Sequence, residues 1–257
     1  MHIHKRQTTF QIDPSHAYST WWYQARYRDW EPESFDILDH FLRPDRDFID
    51  IGAWIGPLAL YAAQHSRCVY ALEPDPVAFQ ALKQHLAWNA DAHVQLFPVG
   101  LAESEGIRAF GGNGELGNSE STLLVNDPVY LSEGGQKSHW MGNNPQWRQG
   151  QLIQVPITPF SAWVKTHAID LAVVSLIKVD IEGSEKYVLP DMLAVLKPLQ
   201  LPLYLSLHWE FLKAEEISHL LDMLYQTYTQ VRSLDFQPLL KEDIMAHQLS
   251  GVLAGPL

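Results

Sequence analysis

Two groups of residues in this chain of 257 residues have the types and the spacing to do chemistry. The first is Asp180, Glu182 and His208, two carboxylates and an imidazole able to take up a proton or orient a hydroxyl near neutral pH. The second is the segment Asp50-Ile-Gly-Ala-Trp-Ile-Gly56, followed roughly 20 residues later by Glu73-Pro74. Gly52 and Gly56, with the small Ala53 between them, leave a turn bare enough for backbone N–H groups to face a ligand. Glu73, closing the next strand, can accept hydrogen bonds from both hydroxyls of a ribose.

The glycine pattern is G-x-x-x-G. In the dinucleotide fingerprint G-x-G-x-x-G the middle glycine lets a pyrophosphate approach, and here Trp54 stands in that place and blocks it. Asp50 repels phosphate as well, yet tolerates the ammonium and sulfonium of S-adenosylmethionine. The bottom-up expectation is therefore a turn for S-adenosylmethionine, held by Asp50, Gly52, Ala53, Gly56, Glu73 and Pro74. The structural alternative is that the glycines only shape a bend and Glu73 only caps a helix.

Strand-turn-helix units must carry these residues. Phe48–Ile51 reads as a short apolar strand, after which Pro57 opens a helix at its first position. The unit repeats with strand Cys68–Leu72, cap Asp75 and helix-opening Pro76, which implies a parallel sheet. Val94–Val99, Leu176–Asp180 and Leu203–His208 continue it, and Thr229–Leu234 with Leu249–Ala254 read as a closing hairpin. The expected fold is α/β, a doubly wound, Rossmann-like, mostly parallel seven-stranded sheet with helices on both faces and a C-terminal antiparallel hairpin.

Residues 1–45 read as an aromatic-rich extension or cap, with Trp21, Trp22, Tyr23, Tyr27 and Trp30 before a helical pattern from Phe35 to Leu42. Residues 46–257 read as the main domain, with a glycine- and asparagine-rich insertion at about 103–154. Trp140 and Trp147 in that insertion suit local packing or a lid. His2 and His4 read as a mobile terminus, Ser184 as a helix cap, Glu185 as a first-turn acid, and Pro190 as a helix break or restart.

The balance of the composition narrows the partners. A formal net charge of −12 without lysine or arginine clusters argues against a nucleic-acid backbone and for a small or neutral substrate. Cys68 is the single cysteine, so neither an intrachain disulfide nor a cysteine-based zinc site can form. The sequence shows neither a secretory apolar run nor an uncharged apolar segment of about 18 residues, and the expectation is a cytoplasmic protein without a membrane partner.

At this point the chain resembles the FkbM family of methyltransferases. The resemblance lies in Phe48-Ile-Asp-Ile-Gly-Ala53, Tyr70-Ala-Leu-Glu-Pro-Asp75, Leu86-Ala-Trp-Asn89 and, most specifically, Leu176-Ile-Lys-Val-Asp-Ile-Glu-Gly-Ser-Glu185. It departs from many relatives at Trp54 and Ser206. The resemblance implies O-methylation of a sugar, glycan or secondary-metabolite hydroxyl, in a class I methyltransferase fold.

Methyl transfer is an in-line displacement aided mostly by positioning, and Asp180, Glu182 and His208 at the strand ends are the expected catalytic groups. His208 could serve as a general base or as a satisfied structural imidazole. Together with Glu210 these residues could also hold a divalent cation, but nothing in the spacing demands one, and no metal is assigned. The alternatives are a non-catalytic scaffold binding S-adenosylmethionine and, less favoured because of Trp54, a nucleotide-dependent oxidoreductase.

Overall fold

The computed structural model describes residues 1–112, 116–126 and 152–257. In chain order the elements are β1 (His2–Lys5), β2 (Thr8–Gln11), α1 (Ala17–Ala25), α2 (Pro32–Phe41), β3 (Asp47–Ile51), α3 (Pro57–Ala62), β4 (Cys68–Leu72) and α4 (Pro76–Ala87). Next come β5 (Val94–Phe97), β6 (Gly100–Leu101), β7 (Gly106–Phe110), β8 (Ile153–Thr158), α5 (Phe160–Thr166), β9 (Val174–Val179) and α6 (Glu185–Leu196). The chain finishes with β10 (Leu203–Ser206), α7 (Ala214–Thr227), β11 (Val231–Arg232), α8 (Lys241–His247) and β12 (Gly251–Ala254).

The central sheet has seven strands in the order β11-β12-β10-β9-β3-β4-β5. β3, β4, β5, β9 and β10 pair in parallel, whereas β12 runs antiparallel to both β10 and β11. Alternation along the strands feeds two cores. Ile49, Ile51, Leu72, Ile177, Val179 and Leu205 pack with α5, α6 and α7 on one face. Phe48, Val69, Ala71, Leu176, Tyr204 and Leu253 pack with the N-terminal elements, α3 and α4 on the other. This is the doubly wound arrangement that the repeated units predict.

From β3 the chain builds outward through β4 to β5, then returns to lay β9 on the other side of β3. The crevice beyond the carboxyl ends of β3 and β9 is therefore a topological switch point, where ligands bind in open α/β sheets. Register fixes what meets there: Ile51 lies beside Leu72 and Val179, so Gly52, Glu73 and Asp180 leave the sheet side by side. A Cβ on Gly52, whose φ is +86°, would lie 1.8 Å from the Asp180 carbonyl oxygen. The glycine thus lets the turn after β3 close on the end of β9.

Several expectations need correction. The terminus holding His2 and His4 is a β-hairpin, β1 with β2, whose Ile3 and Phe10 are buried. The fourth and fifth strands of the expected series end earlier, at Val179 and Ser206, which leaves Asp180 and His208 on the following turns. The C-terminal pair is not a tight hairpin, because α8 lies between β11 and β12. Pro190 neither breaks nor restarts α6, which runs through it from Glu185 to Leu196. Pro190 leaves the intrahelical acceptor at residue 186 without its usual N–H, a loss the helix absorbs by burying Val188, Leu189, Met192, Leu193 and Leu196.

The N-terminal elements are bound to the turn region by buried hydroxyls. Tyr23 donates to the Ile55 carbonyl at 3.2 Å and Tyr27 to the Pro57 carbonyl at 2.9 Å. Within the expected insertion, β7 and β8 pair antiparallel, and Trp140 and Trp147 lie outside the described residues. Among the described residues no helix is long and apolar enough to cross a membrane.

Candidate active site

Two clefts meet at the switch point. The first, about 540 Å³ and open to solvent, is lined by Gly52, Trp54, Glu73, Pro74, Asp180 and Glu182, with apolar walls from Ile51, Val99 and Leu101. The second, about 1320 Å³ and also open, shares Gly52, Trp54, Asp180 and Glu182 and adds Asp50, Ala53, Lys178, Tyr204 and His208. A sequence-predicted donor site and a sequence-predicted reaction site thus become adjoining halves of one crevice. Gly56 lines neither; its φ of +89° starts α3, and a Cβ there would lie 2.3 Å from a Leu82 methyl.

Glu73 is the anchor of the first cleft. Its Oε2 accepts from the Trp54 N–H at 2.8 Å and its Oε1 from the Asp75 N–H at 2.7 Å. Burial pushes its carboxyl up to about 8. Each oxygen keeps a further lone pair for a hydroxyl donor. Asp75 caps α4 through the N–H groups of Val77 and Ala78, and its other oxygen accepts from Gly117 N–H at 2.6 Å. The Trp54 indole N–H donates to the Gly117 carbonyl at 2.8 Å. This seats Trp54, at φ +49°, as a partition touching both clefts.

A charge network forms the floor of the second cleft. Lys178 and Asp50 are cross-strand neighbours, and Lys178 Nζ lies 2.9 Å from Asp180 Oδ2 and 3.9 Å from Asp50 Oδ1. Burial opposes the lysine's charge, but Asp180 and Asp50 outweigh it and hold Lys178 above its ordinary range. Asp50 is pushed up to about 6 by burial despite Lys178, and its Oδ1 has no hydrogen-bond partner. A buried acceptor left in that state suits a cationic donor group. Asp180 is driven the other way, because Lys178 and His208 overcome its burial and hold it well below the usual carboxylate range.

His208 sits among three carboxylates. Its Nε2 is 3.1 Å from Asp180 Oδ1 and 3.6 Å from Glu182 Oε2, and its Nδ1 is 2.9 Å from Glu185 Oε1 without an aligned hydrogen bond. Burial lowers its affinity for a proton, yet Glu185, Glu182 and Asp180 raise it far more, so the imidazole is held as a cation. The general base expected at His208 is thus its disfavoured form. Glu182 is pushed up to about 8, chiefly by burial. The side chains of Asp180 and Glu182 are 24 % and 18 % exposed at the cleft, whereas Lys178, at 4 %, stays behind them. The carboxylates therefore line the cleft and the lysine lies behind them.

Local sequence explains this seating. After β9, Glu182 at φ +53° and Gly183 at φ +87° turn the chain into α6. Glu185 behaves as a first-turn acid, accepting from Ile181 N–H at 3.0 Å, and its contact with His208 was not legible from that role. Ser184 stands at the cap position but does not cap; its hydroxyl accepts from Leu123 N–H and pairs with Thr122. Sequence reasoning also missed Glu31 and Lys178 as site residues. A lysine in an otherwise apolar strand was the available signal for the second. Asp180, Glu182 and His208 also bring one ligand atom each within 4.8 Å of one another, a set a divalent ion could use only where His208 gives up its proton.

The sequence comparison agrees with this geometry. The model of the family described as methyltransferase FkbM domain matches residues 50–237. The chain belongs to the FkbM methyltransferase family. Its sheet is doubly wound and mostly parallel, with β12 antiparallel to its neighbours. It is similar to the solved methyltransferase FkbM from Methylobacillus flagellatus KT, with 15 % identity over 86 % of this chain and 50 % of that one, at a TM-score of 0.45. The FkbM chain here thus spans about half the length of that relative. It is also similar to a TehB-like SAM-dependent methyltransferase from Corynebacterium glutamicum ATCC 13032 Kitasato, with 12 % identity over 94 % of this chain and 97 % of that one, at a TM-score of 0.41. No curated protein matches it significantly.

Proposed function

We propose that this FkbM-family chain is an S-adenosylmethionine-dependent O-methyltransferase acting on a hydroxyl of a sugar, glycan or secondary metabolite. The observation that carries the reading is the shared wall: Gly52, Trp54, Asp180 and Glu182 border both the Glu73 cleft and the His208 cleft. When bound, S-adenosylmethionine supplies an electrophilic methyl group on a sulfonium. Glu73 would receive the ribose hydroxyls, and the unpartnered Asp50 Oδ1 would receive the ammonium.

On the acceptor side, Asp180 would accept a hydrogen bond from a neighbouring hydroxyl of the acceptor and so orient it. Glu182 would take the proton that the acceptor hydroxyl loses as its oxygen accepts the methyl group, the neutral thioether being the leaving group. His208, held as a cation, fixes both carboxylates in place. Lys178 and His208 supply the positive charge, so the reading assigns no metal to the site. It likewise places the protein with small or glycan acceptors, not with nucleic acid or a membrane.

Glu73→Ala tests the donor half. Above about pH 8, where Glu73 is charged, loss of its charge-assisted hydrogen bonds should weaken S-adenosylmethionine binding by about 1.5–3 kcal/mol per bond in calorimetry. Unchanged affinity in the folded variant would remove Glu73 from the site. The proton step has its own signature: only unprotonated Glu182 can take the hydroxyl proton, so turnover should rise through about pH 8, half-maximal there, and level off above it. Glu182→Gln should abolish that limb, and a flat wild-type profile across it would reject Glu182 as the base.

A further inference from the structure

The N-terminal segment builds one wall of the second cleft. Between α1 and α2 the chain runs Trp30-Glu31-Pro32-Glu33, and Trp30, Glu31 and Glu33 all line the cleft. Glu31 lies in the left-handed region at φ +39°, a strained conformation for a residue with a side chain. It holds the cap position of α2, yet its side chain makes no capping bond. Instead its Oε2 accepts from Ser34 Oγ at 2.8 Å, and Ser34 Oγ pairs with the Tyr204 hydroxyl at 2.9 Å. The carboxylate is thus tied to the first turn of α2 while it lines the cleft.

Charge decides what that carboxylate is for. Among the described residues the cleft is lined by the acids Glu31, Glu33, Asp50, Asp180, Glu182 and Glu210 against two cations, Lys178 and His208, both engaged with carboxylates. The donor's ammonium would answer Asp50, which leaves Glu31, Glu33 and Glu210 facing the acceptor. Burial and then Asp180 push Glu31 up to about 7 against the opposing pull of Lys178. A phosphorylated or carboxylated acceptor would be repelled here. Trp30 and Trp209 in the same lining offer π faces that attract a cation and also cover the apolar face of a sugar ring.

We infer that the acceptor is an amine-bearing polyol, an amino sugar or amino cyclitol in its cationic form, with Glu31 as the residue that reads the ammonium. This rests on the O-methyltransferase reading and deepens it. Glu31 is a specificity residue, separate from the proton-accepting Glu182.

The test is a calorimetric titration of the full chain saturated with S-adenosylhomocysteine, using glucosamine, N-acetylglucosamine and glucuronic acid to millimolar concentration. Glucosamine should bind at least tenfold more tightly than its uncharged N-acetyl counterpart, more weakly as salt rises, and glucuronic acid should bind least. Glu31→Gln should remove the preference for the amine and leave S-adenosylhomocysteine affinity unchanged, which also reports that the variant is folded. Glu33→Gln serves in its place if Glu31→Gln does not fold, with a reduced preference expected. Equal or tighter binding of N-acetylglucosamine or glucuronic acid, or no binding of any of the three, overturns the inference. Failure of S-adenosylhomocysteine itself to bind overturns the methyltransferase reading instead.

Discussion

Asp180→Asn is expected to lower kcat for methyl transfer by about a hundredfold or more while donor affinity stays unchanged. Asparagine keeps the shape of the side chain, so the turn after β9 and its contact with Gly52 survive. What disappears is the negative charge that Lys178 and His208 hold well below its ordinary pKa. Asparagine offers a weaker acceptor to the substrate hydroxyl and can rotate to present its NH₂ group instead. His208 also loses one of its three carboxylates and no longer fixes Glu182 against the same partner. Single-turnover kinetics with an identified acceptor, beside donor calorimetry, make the comparison; wild-type turnover in the variant would reject the role given to Asp180.

Lys178→Met should produce the largest loss of stability. Methionine fills similar volume but leaves Asp50 and Asp180 buried without their shared cation, a loss on the order of 3–5 kcal/mol. The pH dependence has a definite sign. Asp50 already has a raised pKa in the folded chain, and removing Lys178 takes away the largest influence lowering it. A carboxyl raised on folding destabilises increasingly as pH climbs above its unfolded value of about 4. The deficit should therefore be greater at roughly pH 8 than at roughly pH 5 in urea denaturation. Adding Asp50→Asn should recover part of it. Equal deficits at both pH values, or no recovery in the double variant, would show that Lys178 acts only by packing.

The sequence revealed what is local. Asp50 to Trp54, Glu73 and the run from Asp180 to Glu182 each lie on one strand end and its turn, so their spacing brought most of them to one crevice, while Gly56 and Glu185 lie outside its lining. The β1–β2 hairpin escaped because its two-residue turn is Arg6-Gln7, with Arg6 at φ +54°, where asparagine or glycine would have signalled it. Glu31 escaped because Pro32 announced a helix and nothing nearby announced that the preceding residue would turn left-handed toward a cleft. The protonation of His208 escaped for a different reason. It depends on carboxylates reached across the sheet, from the β9 turn and the start of α6, and an isolated histidine in a sequence carries no record of them. The glycines were found for one reason and retained for another, since Gly52 makes room for the Asp180 carbonyl and Gly56 for Leu82.

That contact at Gly52 separates two kinds of change the chain can undergo. With a carbonyl oxygen where its Cβ would be, the turn proposed to receive the donor packs directly on the residue proposed to address the acceptor, and neither can drift without the other. The wall from Trp30 to Glu33 is outside this joint and is attached through Tyr23, Tyr27 and Ser34. Substitutions at Trp30, Glu31 and Glu33 can thus retune which molecule is accepted while the transfer geometry is inherited intact. An engineer seeking a new acceptor would vary those three positions first and keep the two tyrosine hydroxyls as fixed points.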